Sequence, residues 1–199
     1  MDVKSFEIIL ASGSPRRSEL LKSMDIPFRV ELKSIDETYP KSMNPEQVPV
    51  FLAEAKANAY SLPNDLQVLI TADTLVLLEN EVLGKPEDEI KAEEMLRKLS
   101  GKTHTVITAV CLRDKHRLFS FSDTTLVRFT HLSNEEIQYY IKTYKPLDKA
   151  GAYGIQDWIG MVAIESIQGS YTNVMGLPTE KLYRHLIEFL TSMKSHGDQ

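Results

Sequence analysis

The chain has one cysteine, Cys111, in 199 residues, which excludes an internal disulfide and fits a reducing compartment. It has no apolar run of membrane-spanning length, and Asp2, Lys4 and Glu7 surround its first residues, so neither a transmembrane helix nor a secretory signal is expected. Positive charge is not in excess. With 23 basic and 28 acidic residues the net charge is −5, so no global field favours nucleic acid or an anionic membrane, and any basic site must be local. Internal repeats and low-complexity linkers are missing too, and the length fits a single domain, 1–199, of two lobes. A cytoplasmic location is the expectation.

Several site signatures are also absent. GKT at Gly101–Thr103 has the ending of a Walker A loop, but Leu96 stands where its first glycine belongs. The histidines show no close paired spacing, which argues against a zinc site. There is no GxSxG nucleophile elbow and no basic helix with interleaved aromatics.

What is present begins with IILASGSPRRSELL, Ile8 to Leu21. Its apolar start reads as a strand, and Leu20, Leu21 and Met24 read as a helix face, so Ser12 to Arg16 is a strand-to-helix turn. Ser14 suits the N-cap and Pro15 the first helical position, where no backbone donor is needed. Such a turn offers backbone N–H groups and the positive end of a helix dipole to an anion. Arg16 and Arg17 add forked donors that match phosphate oxygens.

Further along, Pro27–Leu32 alternates as a strand, and Asp36 and Glu37 lie in an acidic loop. Asn44–Tyr60 has helical spacing and carries Lys56 near its end. Gln67–Pro86 contains a strand apolar on both faces, hence central, which Asp73 interrupts. A helix over Glu87–Ser100 stops at Gly101, and strands follow over Thr105–Leu112 and Phe119–Thr130. Ser133 and Glu136 form a capping box for the next helix. Lys145–Gly160 reads as a long loop, Met161–Ile167 as a strand, GSYTNVMGLP as a connection and the segment around Leu182–Met193 as the last helix. The two consecutive central strands argue for an α/β fold with a mixed sheet.

Asp73 needs a partner, because burying an unpaired carboxylate costs several kcal/mol. A metal, a basic side chain and the Thr71 and Thr74 hydroxyls are the options, and Asp36 and Glu37 are further oxygen donors for a hard cation such as magnesium. Lys56, Lys85, Arg16 and Arg17 supply local positive charge in a net acidic chain, as a metal-bound triphosphate requires. The residues alone describe a phosphate-handling α/β protein.

Six motifs in order, SGSPRR (Ser12–Arg17), ADT (Ala72–Thr74), GKP (Gly84–Pro86), GKTHTVITAV (Gly101–Val110), DKAGAYGIQ (Asp148–Gln156) and GSYTNVMGLP (Gly169–Pro178), resemble the Maf family of nucleotide pyrophosphatases. The resemblance implies an elongated mixed β-sheet flanked by helices with a central cleft, as in the inosine triphosphatases. It implies hydrolysis of a nucleoside triphosphate to monophosphate and pyrophosphate with a divalent cation, magnesium or manganese, and it implies a homodimer. By position, Asp73 matches the general base. Arg16, Thr74 and Gln156 match selectivity positions, and Ser12, Ser14, Arg17, Glu37, Lys56 and Lys85 match polar positions lining the site. Glu37 and Asp73 are the expected metal ligands. GAYGIQ is similar to the dTTP/UTP branch, and the Gln156 amide complements the O4 acceptor and N3–H donor of thymine or uracil. The alternatives are a pyrophosphatase for 7-methyl-GTP or another modified nucleotide, and a non-catalytic regulator of septum formation. Asp157 and Trp158 depart from the small, glycine-containing continuation expected after Gln156, with Trp158 expected to anchor the loop or stack on a base.

Overall fold

The computed structural model describes residues 3–197. Its strands are β1 (Glu7–Leu10), β2 (Arg29–Val30), β3 (Gln67–Leu78), β4 (Glu81–Leu83), β5 (Thr103–Arg113), β6 (Leu118–Phe129) and β7 (Ile164–Gln168). They form one seven-stranded sheet in the order β2-β1-β3-β5-β6-β7, with β4 paired to β3. β1 runs parallel to β2 and β3, whereas β4 is antiparallel to β3 and β7 to β6. The mixed sheet expected from consecutive strands is therefore present. The helices are α1 (Pro15–Lys22), α2 (Val48–Asn58), α3 (Glu89–Leu99), α4 (Asn134–Tyr144), α5 (Trp158–Val162), α6 (Tyr171–Met175) and α7 (Thr179–Gly197). Among the described residues no helix is long and apolar enough to cross a membrane.

The chain divides into two compact units, and the divisions fall inside β3, β5 and β6 and at the end of α6. The first unit takes the segments up to Asp73, Thr108–Asp123 and from Gly176 onward. Strand residues here are apolar on both faces because each face meets a helix. Ile8, Leu10, Val68, Ile70, Val110 and Leu112 pack with Leu21 of α1 and with Leu182, Leu186, Phe189 and Leu190 of α7. Ile9, Leu69, Ala109 and Cys111 point the other way and meet Ala53 and Ala57 of α2. Each fully buried aliphatic side chain of this kind contributes roughly 1.5–3 kcal/mol. Burial pushes the Cys111 thiol up to about 11, so it is a core residue and stays protonated at neutral pH.

The second unit, Thr74–Ile107 and Thr124–Met175, has its own core. Leu96 and Leu99 of α3, Ile137, Tyr140 and Ile141 of α4, and Val76, Val106 and Phe129 from the strands share it with Tyr153 and Ile159. Local sequence signals set its helix ends. Asp88 Oδ1 accepts from the Lys91 N–H at 2.7 Å, and the Ser133–Glu136 capping box is formed in both directions. Gly101 follows the α3 C-cap at φ 69°, the left-handed region that favours glycine, and a Cβ there would lie 2.5 Å from the ring of the exposed His131, which would have to move.

Other expectations are corrected. Met161–Ile167 is not a continuous strand. Asp157 is the N-cap of the single-turn helix α5, and β7 begins only at Ile164. Lys145–Gly160 is not structureless, since it carries short 3₁₀ turns at Pro146–Asp148 and Ala150–Ala152. GSYTNVMGLP contains α6. β2 shrinks to two exposed residues at the edge of the sheet, with no further strand on its outer side among the described residues. Asp73 does not interrupt β3, which runs through it.

His104, 2% exposed, lies edge-on to Phe129 and Tyr153, with Nε2 2.7 Å from the Tyr153 hydroxyl. Burial lowers its pKa from 6.5 to about 4. The unfolded chain therefore binds this proton more readily than the folded one. Its contribution is complete above about pH 6.5 and is lost as pH falls toward 4. The wild type should accordingly lose roughly 2–3 kcal/mol more than His104→Gln between about pH 7.5 and 4.5, measured by urea unfolding.

Candidate active site

The SGSPRR turn forms as expected, with one difference. Ser14 is the N-cap of α1 and Pro15 takes the first helical position, but the Ser14 side chain makes no capping hydrogen bond. The local bond is made one step earlier: the buried Ser12 Oγ accepts the Ser14 N–H at 3.2 Å and Arg17 Nη1 at 3.3 Å.

The two arginines are not equivalent. Arg17 donates from Nε to the Gly176 carbonyl at 2.8 Å and from Nη1 to the Ala72 carbonyl at 2.8 Å. It thus ties α1 to the β3 residue just before Asp73 and to the start of the chain leading into α7. Arg16 is half-buried on the same first turn.

Asp73 lies on β3 two residues beyond Thr71 and four beyond Leu69, hence on the α2 face of the sheet. Thr71 Oγ1 confirms that face by donating to the Ala53 carbonyl at 2.6 Å. Lys56 sits in the last turn of α2, next to Ala57, whose small side chain lets the helix close on the strand. Lys56 Nζ contacts Asp73 Oδ1 at 2.6 Å and Glu37 Oε1 at 2.9 Å. Both Lys56 and Asp73 side chains are 14% exposed, whereas that of Glu37 is 52% exposed. Among the described residues none engages Asp73 Oδ2.

Burial raises the Asp73 pKa above the usual carboxylate range; Lys56, by charge and hydrogen bond, and Arg17 oppose the rise, and Glu37 adds to it. The partner that the sequence demanded for Asp73 is therefore a lysine. Asp36, the other residue of the acidic loop, is used locally, accepting the Thr38 N–H at 3.0 Å. Glu37 and Asp73 converge on one cationic atom. Among the described residues no group of three His, Cys, Asp or Glu side chains suited to a metal occurs. Glu37 and Asp73 are hard oxygen donors of the kind magnesium takes, and one oxygen of each is engaged by Lys56 Nζ.

The remaining sequence-predicted residues belong to the second unit. Thr74 follows Asp73 on β3 and is half-buried. Lys85 is exposed and has no hydrogen-bond or ion-pair partner among the described residues. Gln156 Nε2 donates to Asp157 Oδ1 at 3.0 Å, and Asp157 Oδ2 accepts the Tyr140 hydroxyl at 2.8 Å. Trp158 packs edge-to-face on Tyr139, with centroids 4.9 Å apart, which is the anchoring role. Sequence reasoning marked Asp157 only as a departure from a pattern and missed Tyr140 and Asn173. Asn173, buried in α6, donates to the Val106 carbonyl at 3.1 Å and to Thr125 Oγ1 at 2.9 Å. A polar residue inside a short glycine-bounded run was the available signal.

Lys56→Met removes the largest charge that holds the Asp73 pKa down. In that variant the Asp73 carboxyl should titrate at higher pH than in the wild type, followed by carboxyl carbon NMR. An unmoved titration would refute the pairing.

A family model described as Maf-like protein matches residues 7–189. A dTTP/UTP pyrophosphatase of Flavobacterium psychrophilum is 53% identical over 190 residues, covering 92% of this chain and 96% of that protein. A dTTP/UTP pyrophosphatase of Porphyromonas gingivalis is 49% identical over 192 residues, covering 94% and 96%. Among solved structures, a HAM1 protein from Coxiella burnetii shares the fold at a TM-score of 0.51 and 14% identity, over 92% of this chain and 99% of that one. The Ser12–Arg17 turn, the Lys56–Asp73 pair and Gln156 all fall within the matched span, and the chain belongs to the Maf-like protein family.

Proposed function

We propose that this protein is a nucleoside triphosphate pyrophosphatase that hydrolyses dTTP and UTP to the monophosphate and pyrophosphate, a housekeeping reaction on the cytoplasmic nucleotide pool. Its near relatives carry the substrate assignment, with about half of all residues identical over nearly the whole length. The observation that carries the chemistry is Asp73, a largely buried carboxylate with a raised pKa, one oxygen on Lys56 and the other open. A carboxylate in that state accepts a proton more readily than an exposed one.

In the reaction, Asp73 takes a proton from water as the water oxygen forms its bond to the α-phosphorus. The bond from the α-phosphorus to the α–β bridging oxygen breaks, and pyrophosphate leaves with that electron pair. The proton then passes from Asp73 to solvent. Lys56 holds the carboxylate in one orientation and favours its ionised form against the burial cost. Ser12, Ser14, Arg16 and Arg17, in the turn before and within α1, bind the phosphates, with Arg17 also keeping the turn on β3. Lys85 adds charge, and Arg16, Thr74 and Gln156 select the nucleotide. Glu37 and Asp73 would hold the divalent cation, magnesium or manganese, which when bound neutralises phosphate charge. A homodimer completes the reading.

Asp73→Asn keeps the shape and loses the base. Its kcat should fall by roughly 10²–10⁴-fold while a non-hydrolysable dTTP analogue still binds, measured by calorimetry. Undiminished turnover would remove Asp73 from the base role. In a panel of dTTP, UTP, CTP and 7-methyl-GTP, the first two should give the highest kcat/KM and release pyrophosphate. Orthophosphate release would make the enzyme a phosphatase. Chelating divalent cations should stop turnover and adding magnesium should restore it; full activity in chelator would exclude the metal.

A further inference from the structure

Gln156 presents an asymmetry that its sequence position did not announce. Its Nε2 is held by Asp157 Oδ1, while its Oε1 is buried and has no hydrogen-bond partner among the described residues. A buried acceptor without a donor is unfavourable, and its persistence is accounted for if a ligand donates to it.

The amide cannot turn over freely. Asp157 Oδ2 accepts the Tyr140 hydroxyl, which in turn accepts the Gly154 N–H at 3.0 Å, so the phenol proton points to the carboxylate. Tyr140 is fully buried. Lys149 Nζ lies 4.0 Å from the same Oδ2. An ionised carboxylate only accepts. With Oδ2 occupied, Oδ1 faces Gln156 as an acceptor, and a turned amide would set oxygen against oxygen. The close fit depends on glycine at two places. A Cβ on Gly154 would lie 2.6 Å from Asp157 Oδ2 and 2.8 Å from Gln156 Nε2, and one on Gly160 would lie 1.7 Å from the Ile155 carbonyl oxygen.

We infer that Asp157 is a positioning residue for base selection: it locks the Gln156 amide with its oxygen toward the ligand, so that the site takes a pyrimidine carrying an imino N–H. Uracil and thymine carry that donor at N3, whereas cytosine has a lone pair there. The inference rests on the reading of Gln156 as a base contact.

The test is the ratio of kcat/KM for UTP over CTP. In Asp157→Asn the Tyr140 proton claims the new amide oxygen, the amide nitrogen then faces Gln156, and Gln156 turns to offer its own NH₂ outward. The ratio should fall roughly tenfold or more. Adding Gln156→Glu to Asp157→Asn returns an acceptor to the outward position and should raise the ratio again, which a merely structural residue would not do. Tyr140→Phe leaves the carboxylate facing Gln156 and should cost Tm while keeping the ratio within about twofold. It carries the test if Asp157→Asn does not fold, and a tenfold fall in it would mean that packing orients the amide. If Gln156→Ala lowers the ratio but Asp157→Asn leaves it unchanged, the positioning role is overturned and Gln156 keeps its contact. If Gln156→Ala also leaves it unchanged, the base contact and the positioning role both fall.

Discussion

The contact on which the candidate site of the first unit depends is the ion pair between Lys56 and Asp73. A carboxylate in a strand whose neighbours are buried on both faces is unfavourable unless something nearby compensates the lost hydration. Lys56 does so at 2.6 Å, and it can because α2 lies close to β3 through Ala53 and Ala57. The pair is a balance of opposing effects. Burial raises the pKa of Asp73 and Lys56 opposes the rise, and burial prevails, which leaves a carboxylate more basic than a solvated one. Glu37 reaches the same ammonium from an exposed loop and gathers negative charge where a cation would be held.

Arg17 shows how a basic turn divides its labour. Its bonds to the carbonyls of Ala72 and Gly176 hold three chain segments together beside Asp73. Arg16, one residue earlier, belongs to the same first turn of α1. The phosphate-binding expectation for SGSPRR thus rests on a turn whose shape is maintained from within by Ser12 and Arg17.

In the second unit the organising group is again a carboxylate, with a different purpose. Asp157 gathers a phenol, a primary amide and, more distantly, an ammonium, and it imposes a direction on the amide. One carboxylate is kept basic by burial. The other is an acceptor for its neighbours.

Much of the fold was legible in the sequence because its signals are local. The Ser133–Glu136 box, Pro15 after Ser14, and Gly101 after α3 act within one helical turn, and apolar runs marked β1, β3 and β5 as strands, β3 as one covered on both faces. α5 and α6 were not legible. Single-turn helices bury too few residues to show a period, and Ile159 looks alike in a strand or a helix. The sequence by itself determined which residues are charged or polar and on which elements they stand, including Asp73 on β3, Lys56 on α2 and Gln156 in a glycine-rich segment. Only the tertiary structure decided which of those charges meet, that Asp73 is paired to a lysine, that Arg17 bonds to backbone carbonyls and that the Gln156 amide is turned by Asp157. The physical reason is range: propensity and capping act over a few residues, whereas an ion pair or an amide orientation depends on partners that only packing brings within 3 Å.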